Sequence, residues 1–155
     1  MIHAMRHLSP TLARRLRYVA FAVLLAVSAA PLLATVDEAH DYSMQAAKPY
    51  VDDNYTVRED YWNGEVESGQ KLAIRHQLFK GNDYAFWLGT ANSDCELDIA
   101  VYDAKGQAVH MERKPSKHAC SVRVNPPRTG TYTIVFFVKS KTERSVTWAL
   151  AYGYR

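Results

Sequence analysis

Acidic residues are missing from the first 34 positions, which carry Arg6, Arg14, Arg15 and Arg17. Cysteine is scarce: two residues in 155. The chain has no Cys-x-x-Cys, no Gly-x-Ser-x-Gly, no His-Glu-x-x-His and no glycine-rich phosphate loop. Those gaps remove the usual signatures of thioredoxin-type redox proteins, serine hydrolases, zinc peptidases and nucleotide-binding enzymes. Persuasive helical periodicity is missing from the body of the chain, as are internal repeats and low-complexity tracts. At 155 residues there is room for one core and not for two.

What is present at the N-terminus has an order: a basic stretch, an apolar run from Tyr18 to Ala34, then Asp37-Glu38. That is the order of a secretory signal. The run is about 17 residues, at the lower limit for crossing a bilayer. Ser28-Ala29-Ala30 has the small residues a peptidase needs, but Pro31 follows and hinders cleavage. Leu32-Leu33-Ala34 avoids that proline, so cleavage is expected after Ala34, with an uncleaved anchor as the alternative. No cysteine lies near the boundary, which argues against a lipoprotein, and the residues around Arg14-Arg15 do not fit a twin-arginine signal. The expected address is secreted or periplasmic, with membrane attachment only if the segment is retained.

The signal also accounts for the charge. The chain has 19 Lys+Arg and 16 Asp+Glu. Removing the four early arginines leaves 15 basic and 16 acidic residues, so the mature net charge is about −1. The basic pI near 8.8 belongs to the segment that is discarded. It gives no support to nucleic-acid binding.

Residues 35–54 are polar and weakly periodic, and are expected as a linker or loosely docked arm. From residue 55 to 155 the period is two. Leu72, Ile74, His76 and Leu78 alternate with Ala73, Arg75 and Gln77, and Leu97, Ile99 and Val101 alternate with Asp98, Ala100 and Tyr102. The same alternation runs through residues 84–88, 121–125, 131–138 and 146–152. Each reads as a strand with one face toward a core. Turn chemistry separates them: Lys80-Gly81-Asn82-Asp83, Asp103-Ala104-Lys105-Gly106, Pro126-Pro127-Arg128-Thr129-Gly130 and Ser140-Lys141-Thr142-Glu143. The expected fold is all-β: an antiparallel β-sandwich of seven to eight strands, preceded by a signal helix.

Within that body, Asp94-Cys95-Glu96-Leu97-Asp98-Ile99-Ala100-Val101-Tyr102-Asp103-Ala104-Lys105-Gly106 is followed by Pro126-Pro127-Arg128-Thr129-Gly130-Thr131-Tyr132. An acidic Leu-Asp strand ending in Tyr-Asp-x-x-Gly, then Pro-x-x-x-Gly-x-Tyr, resembles the bacterial pre-peptidase C-terminal domain and its single-domain secreted relatives. The resemblance implies a jelly-roll-like sandwich used as an accessory or binding module. It also implies that acidic loop residues sometimes hold calcium.

Candidate sites follow from residue type. Asp94, Glu96, Asp98 and Asp103 are the densest acidic cluster, and Ca²⁺ takes six to eight oxygen ligands. Solvated outer-face residues, with Asp103 capping its turn, are the plainer reading. Cys95 and Cys120 read first as a disulfide, which over a loop of about 25 residues would stabilise the fold by roughly 3 kcal/mol. Zinc on Cys95, His110, His118 and Cys120 ranks below it, because the spacing matches no finger or ribbon. Tyr61, Trp62 and Trp87 are the candidate binding aromatics. Trp148 is in register with Val146 and Leu150 and is expected to pack inward, while Trp87 is out of register with Phe86 and Leu88 and is expected outside. The reading is a non-enzymatic module that binds a polysaccharide, an envelope component or a protein. A structural envelope protein with pairing edges, and a hydrolase whose His and Ser converge only in the fold, are the rivals.

Overall fold

The structure is a computed structural model that describes residues 30–155, with side chains from residue 36 onward. The expected signal segment lies outside the described residues, apart from the backbone of its last five. The period-two pattern is realised as nine strands. They are β1 (Thr56–Val57), β2 (Trp62–Glu67), β3 (Leu72–Leu78), β4 (Tyr84–Gly89), β5 (Cys95–Tyr102), β6 (Met111–Pro115), β7 (Ala119–Val124), β8 (Gly130–Ser140) and β9 (Ser145–Tyr154). A helix, α1 (Ala30–Val51), precedes them.

All pairings between strands are antiparallel, and they make two sheets. In the larger sheet β9 is central. Along one edge it pairs with β4, from Tyr84↔Tyr154 to Gly89↔Ala149. Along its other edge β2 takes the first half, from Trp62↔Leu150 to Glu67↔Ser145, and β1 takes the last two positions. β7 then lies beside β4, with β6 at the rim. The smaller sheet runs β3-β8-β5. Phe86, Leu88, Val122 and Leu150 of the large sheet meet Ile99, Val101, Ile134 and Phe136 of the small one, all buried. Trp148 is half-buried, with its ring 4.9 Å from that of Phe136. The Tyr132 hydroxyl donates to the Arg128 carbonyl at 2.7 Å, which pins the proline-rich turn before β8. Gly106 takes φ +75°, and Asp103 Oδ1 accepts from the N–H groups of Lys105 and Gln107, both at 2.9 Å.

The outer face of the large sheet departs from the simple pattern. β4 is buried at every position, not at alternate ones. Residues 35–54, expected as a loose arm, instead contribute most of α1, which lies on that face. Small residues permit this: Ala39, Ser43 and Ala47 are fully buried, and they come down on Gly89, Ala85 and Ala151. Trp87, expected outside, is wholly buried beneath the helix, its ring 5.5 Å from that of Tyr50. Out of register with the inner core, it forms a second one with Tyr50, Tyr55, Ala85 and Ala151. Removing such a ring from water is worth about 2–3 kcal/mol.

The expected Cys95–Cys120 disulfide is not formed, and both thiols are free. Cys95 begins β5, beside Thr90 and Ser140. Cys120 sits opposite Leu88 in the facing sheet, and its neighbours on β5 are Asp98 and Ile99, further along the strand. Burial pushes the Cys120 thiol up to about 11, which leaves it unreactive.

Candidate functional site

Helix α1 covers β9, β4 and part of β7 but stops short of the β6–β7 hairpin. The uncovered strip is a groove of about 400 Å³. Tyr42, Gln45, Ala46, Pro49 and Tyr50 form its helix wall, and residues 114–119 with Ser121 form the hairpin wall. Local rules set the hairpin wall. Lys114 pairs with Ser121 on the outer face, and Ser116 closes the turn by donating from its N–H and its hydroxyl to the Ala119 carbonyl, at 2.8 and 3.0 Å. At the base of the groove the Tyr50 and Ser121 hydroxyls are 3.1 Å apart. His118 stacks on Tyr42 with ring centroids 4.3 Å apart, joining hairpin to helix. Pro49 has no N–H to donate to the Gln45 carbonyl one turn back, so that acceptor lacks its helical partner.

The charge of the groove has one sign. Lys114 and Lys117 line it and no carboxylate does. Among the described residues every ion pair is made by an arginine, which leaves both lysines unpaired. Lys114 Nζ lies 5.5 Å from the centroid of the Tyr50 ring, within cation–π range. Glu112 pairs with Arg123 at 3.7 Å and Asp53 with Arg155 at 2.7 Å, while Glu38, one turn before Tyr42 on α1, accepts from the Tyr42 hydroxyl at 3.5 Å. At 400 Å³ the groove is in the range of small-ligand sites.

Below one end of the helix, Asp83 gathers two cations. Arg123 Nη2 lies 2.6 Å and Arg155 Nη2 3.3 Å from Asp83 Oδ2. Burial alone would raise the Asp83 pKa, but donation from Arg123, the nearby Tyr55 hydroxyl and Arg155 outweigh it and hold the carboxyl below the usual range. Tyr55 is pushed up to about 12 by burial and by that carboxylate, although the two side chains fall short of good hydrogen-bond geometry.

The expected site residues are dispersed. Asp98 pairs with Arg113 at 3.0 Å, Asp103 is used by its own turn, Glu96 is exposed opposite Lys139, and Asp94 turns the chain with φ 54°. They do not fit a Ca²⁺ site, and among the described residues no three His, Cys, Asp or Glu side chains are grouped to hold a metal. Of the aromatics, Trp87 is internal. Trp62 is half-buried and packs with His76 and Tyr152, and Tyr61 is exposed on one face and stacked on His40 at 3.9 Å. In that cluster the Tyr152 hydroxyl donates to Asp60 at 3.0 Å, and burial lowers the His76 pKa. These three aromatics fasten elements together and form no common patch.

Lys114 and Lys117 were not singled out by sequence, and Tyr42 and Tyr50 read as residues able to pack back onto the domain, not as binding residues. The available signals were the basic run Lys114-Pro115-Ser116-Lys117-His118 and the small-residue spacing of Ala39, Ser43 and Ala47. No protein-family model matches the chain, and no curated protein matches it.

Proposed function

We propose that the chain is an exported, non-enzymatic binding module that acts through the groove between α1 and the β6–β7 hairpin. The observation that carries this reading is the groove itself: a ligand-sized recess, rimmed by lysines without an ion pair among the described residues and floored by Tyr50 and Ser121, on an otherwise near-neutral domain. The strand order β2-β9-β4-β7 over β3-β8-β5 supports a jelly-roll topology, as expected for a single-domain relative of the pre-peptidase C-terminal family. Three of the four histidines between residues 36 and 155, His40, His76 and His118, pack on an aromatic neighbour, which gives a cryptic hydrolase little support. Assembly through β6 is disfavoured by its charges and its Pro115, which are common guards of an exposed edge. Arg113 adds to this: it crosses to the Ile99 carbonyl on β5 with donors at 3.2 and 3.1 Å and closes the gap between the sheets.

The test is to titrate envelope polysaccharide fragments and peptides into ¹⁵N-labelled protein, and to repeat the titration with Gln45→Trp. Gln45 is exposed on the groove wall, so the larger ring fills the recess without entering the core. Shifts confined to residues 42–50 and 114–121, lost in the variant, are expected. A ligand that binds equally well to Gln45→Trp would place the site elsewhere and overturn the reading.

A further inference from the structure

We propose that the groove holds an acidic oligosaccharide, a short sugar chain carrying carboxylates such as a uronic acid oligomer. This rests on the reading of the groove as the binding site. The charge argument comes first. Lys114 and Lys117 stand three residues apart on the hairpin wall, both exposed and both without an ion pair among the described residues, and no acid lines the recess. A ligand carboxylate at the hairpin wall therefore meets two ammonium groups. Lys is a point charge on a flexible stem, suited to an anion whose position varies along a polymer.

The form of the recess selects among anions. An α-helix is about 10–12 Å across with its side chains, so one turn alone would fill about 400 Å³; a docked acidic helix is too large. An extended peptide satisfies its backbone by adding to a sheet edge. Here the neighbouring edge is β6, guarded by charge, by Pro115 and by the Arg113 strap. The groove walls offer side-chain partners and not a strand ladder. Sugar hydroxyls both donate and accept, so they match that mixture: Gln45 and Ser116 side chains as either, and the lysines as donors. Tyr42, Pro49 and Pro115 supply flat apolar surface for the ring faces of a sugar.

The experiment uses the exported protein and three probes: trigalacturonate, a neutral glucose trimer, and a glutamate-rich peptide of similar charge. Binding is followed by calorimetry and by amide shifts. Trigalacturonate is expected to bind in the groove at least tenfold more tightly than the neutral trimer, and to weaken as salt rises and screens the lysines. Lys114→Ala with Lys117→Ala should lose tenfold or more, whereas the pair of Lys→Arg changes should keep most of the affinity. Both side chains are exposed, so an unchanged melt checks that the variants fold. If the neutral trimer binds the groove as well as the acidic one, the acidic class is wrong while the groove reading stands. If the peptide binds there more tightly than trigalacturonate, the partner is a protein and the proposal falls. If no probe shifts the groove residues, this proposal falls, and the broader reading then depends on the Gln45→Trp comparison.

Discussion

Gly89 shows how closely backbone and helix meet in this protein. A Cβ built there would run into the Ala39 carbonyl oxygen and the Ser43 N–H, both main-chain atoms that cannot step aside. Gly89→Ala must therefore push α1 off the sheet or bend β4. Overpacking of this kind costs about 1–3 kcal/mol. Urea melts should show that loss, and Trp87 emission should shift to the red as its cover lifts; an unchanged melt and spectrum would mean that the helix does not rest on β4. The contrast with Trp148 shows what the sequence can say at this scale. Trp148 shares its face with Val146 and Leu150, so its inward direction is readable from spacing alone. Trp87 obeys the same alternation and does point outward from the sandwich. Spacing says nothing about what lies on the outer face, and there a helix with a small-residue surface covers it.

Among elements, six of the nine strands were legible and the helix was not, for one physical reason. Strands of a two-layer sandwich advertise themselves by alternating apolar side chains. The packing face of α1 is Ala39, Ser43, Ala47 and Tyr50, spaced as a helix demands but mostly too small to read as apolar. β1, β2 and β6 were missed because they are short or lie at rims where charged residues are tolerated. The far end of α1 is held by charge as well as by packing. Arg155 donates to the Asp53 carbonyl at 3.1 Å and reaches Asp83, which Arg123 also grips. Asp83→Asn removes the shared anion and leaves two guanidinium groups facing each other. A loss of about 2 kcal/mol at pH 7 is expected, discounted for the partial exposure of both arginines. The sign with pH follows from the lowered pKa of Asp83. Its contribution is complete above the ordinary carboxylate value of 3.8 and disappears as pH falls through the lower folded value. Chemical melts at pH 7 and near pH 2 should therefore show the gap between wild type and Asp83→Asn closing in acid. A gap of constant size would show that Asp83 contributes no linked proton.

For the whole molecule, the unit that holds both sheets runs from Thr35 to Arg155. Among the described residues, Ala39, Ser43, Ala47 and Tyr50 seat α1 on the sheet. Cutting after Ala34 would spare the docked part and place Asp37 and Glu38 in the first turn of the new helix. Acids there are worth about 0.3–1 kcal/mol against the helix dipole. Intact-mass measurement of the exported protein should show a chain beginning at Thr35; a mass that retains residues 1–34 would make the domain a tethered one. The all-β sandwich was readable from the period. The candidate site was not, because its two walls are about seventy residues apart in sequence and meet only where a helix and a hairpin leave a strip of sheet uncovered.

The central place of β9 has a consequence for the order in which the sheet is completed. Of the nine strands, the one furthest along the sequence is the one that β1, β2 and β4 all need as a partner. Until Ser145–Tyr154 arrives, the large sheet is split into fragments with no common ladder, and α1 has only part of its seat. Contacts this distant in sequence form slowly and late. Completion of the large sheet, and with it the full seat of α1, therefore waits on β9.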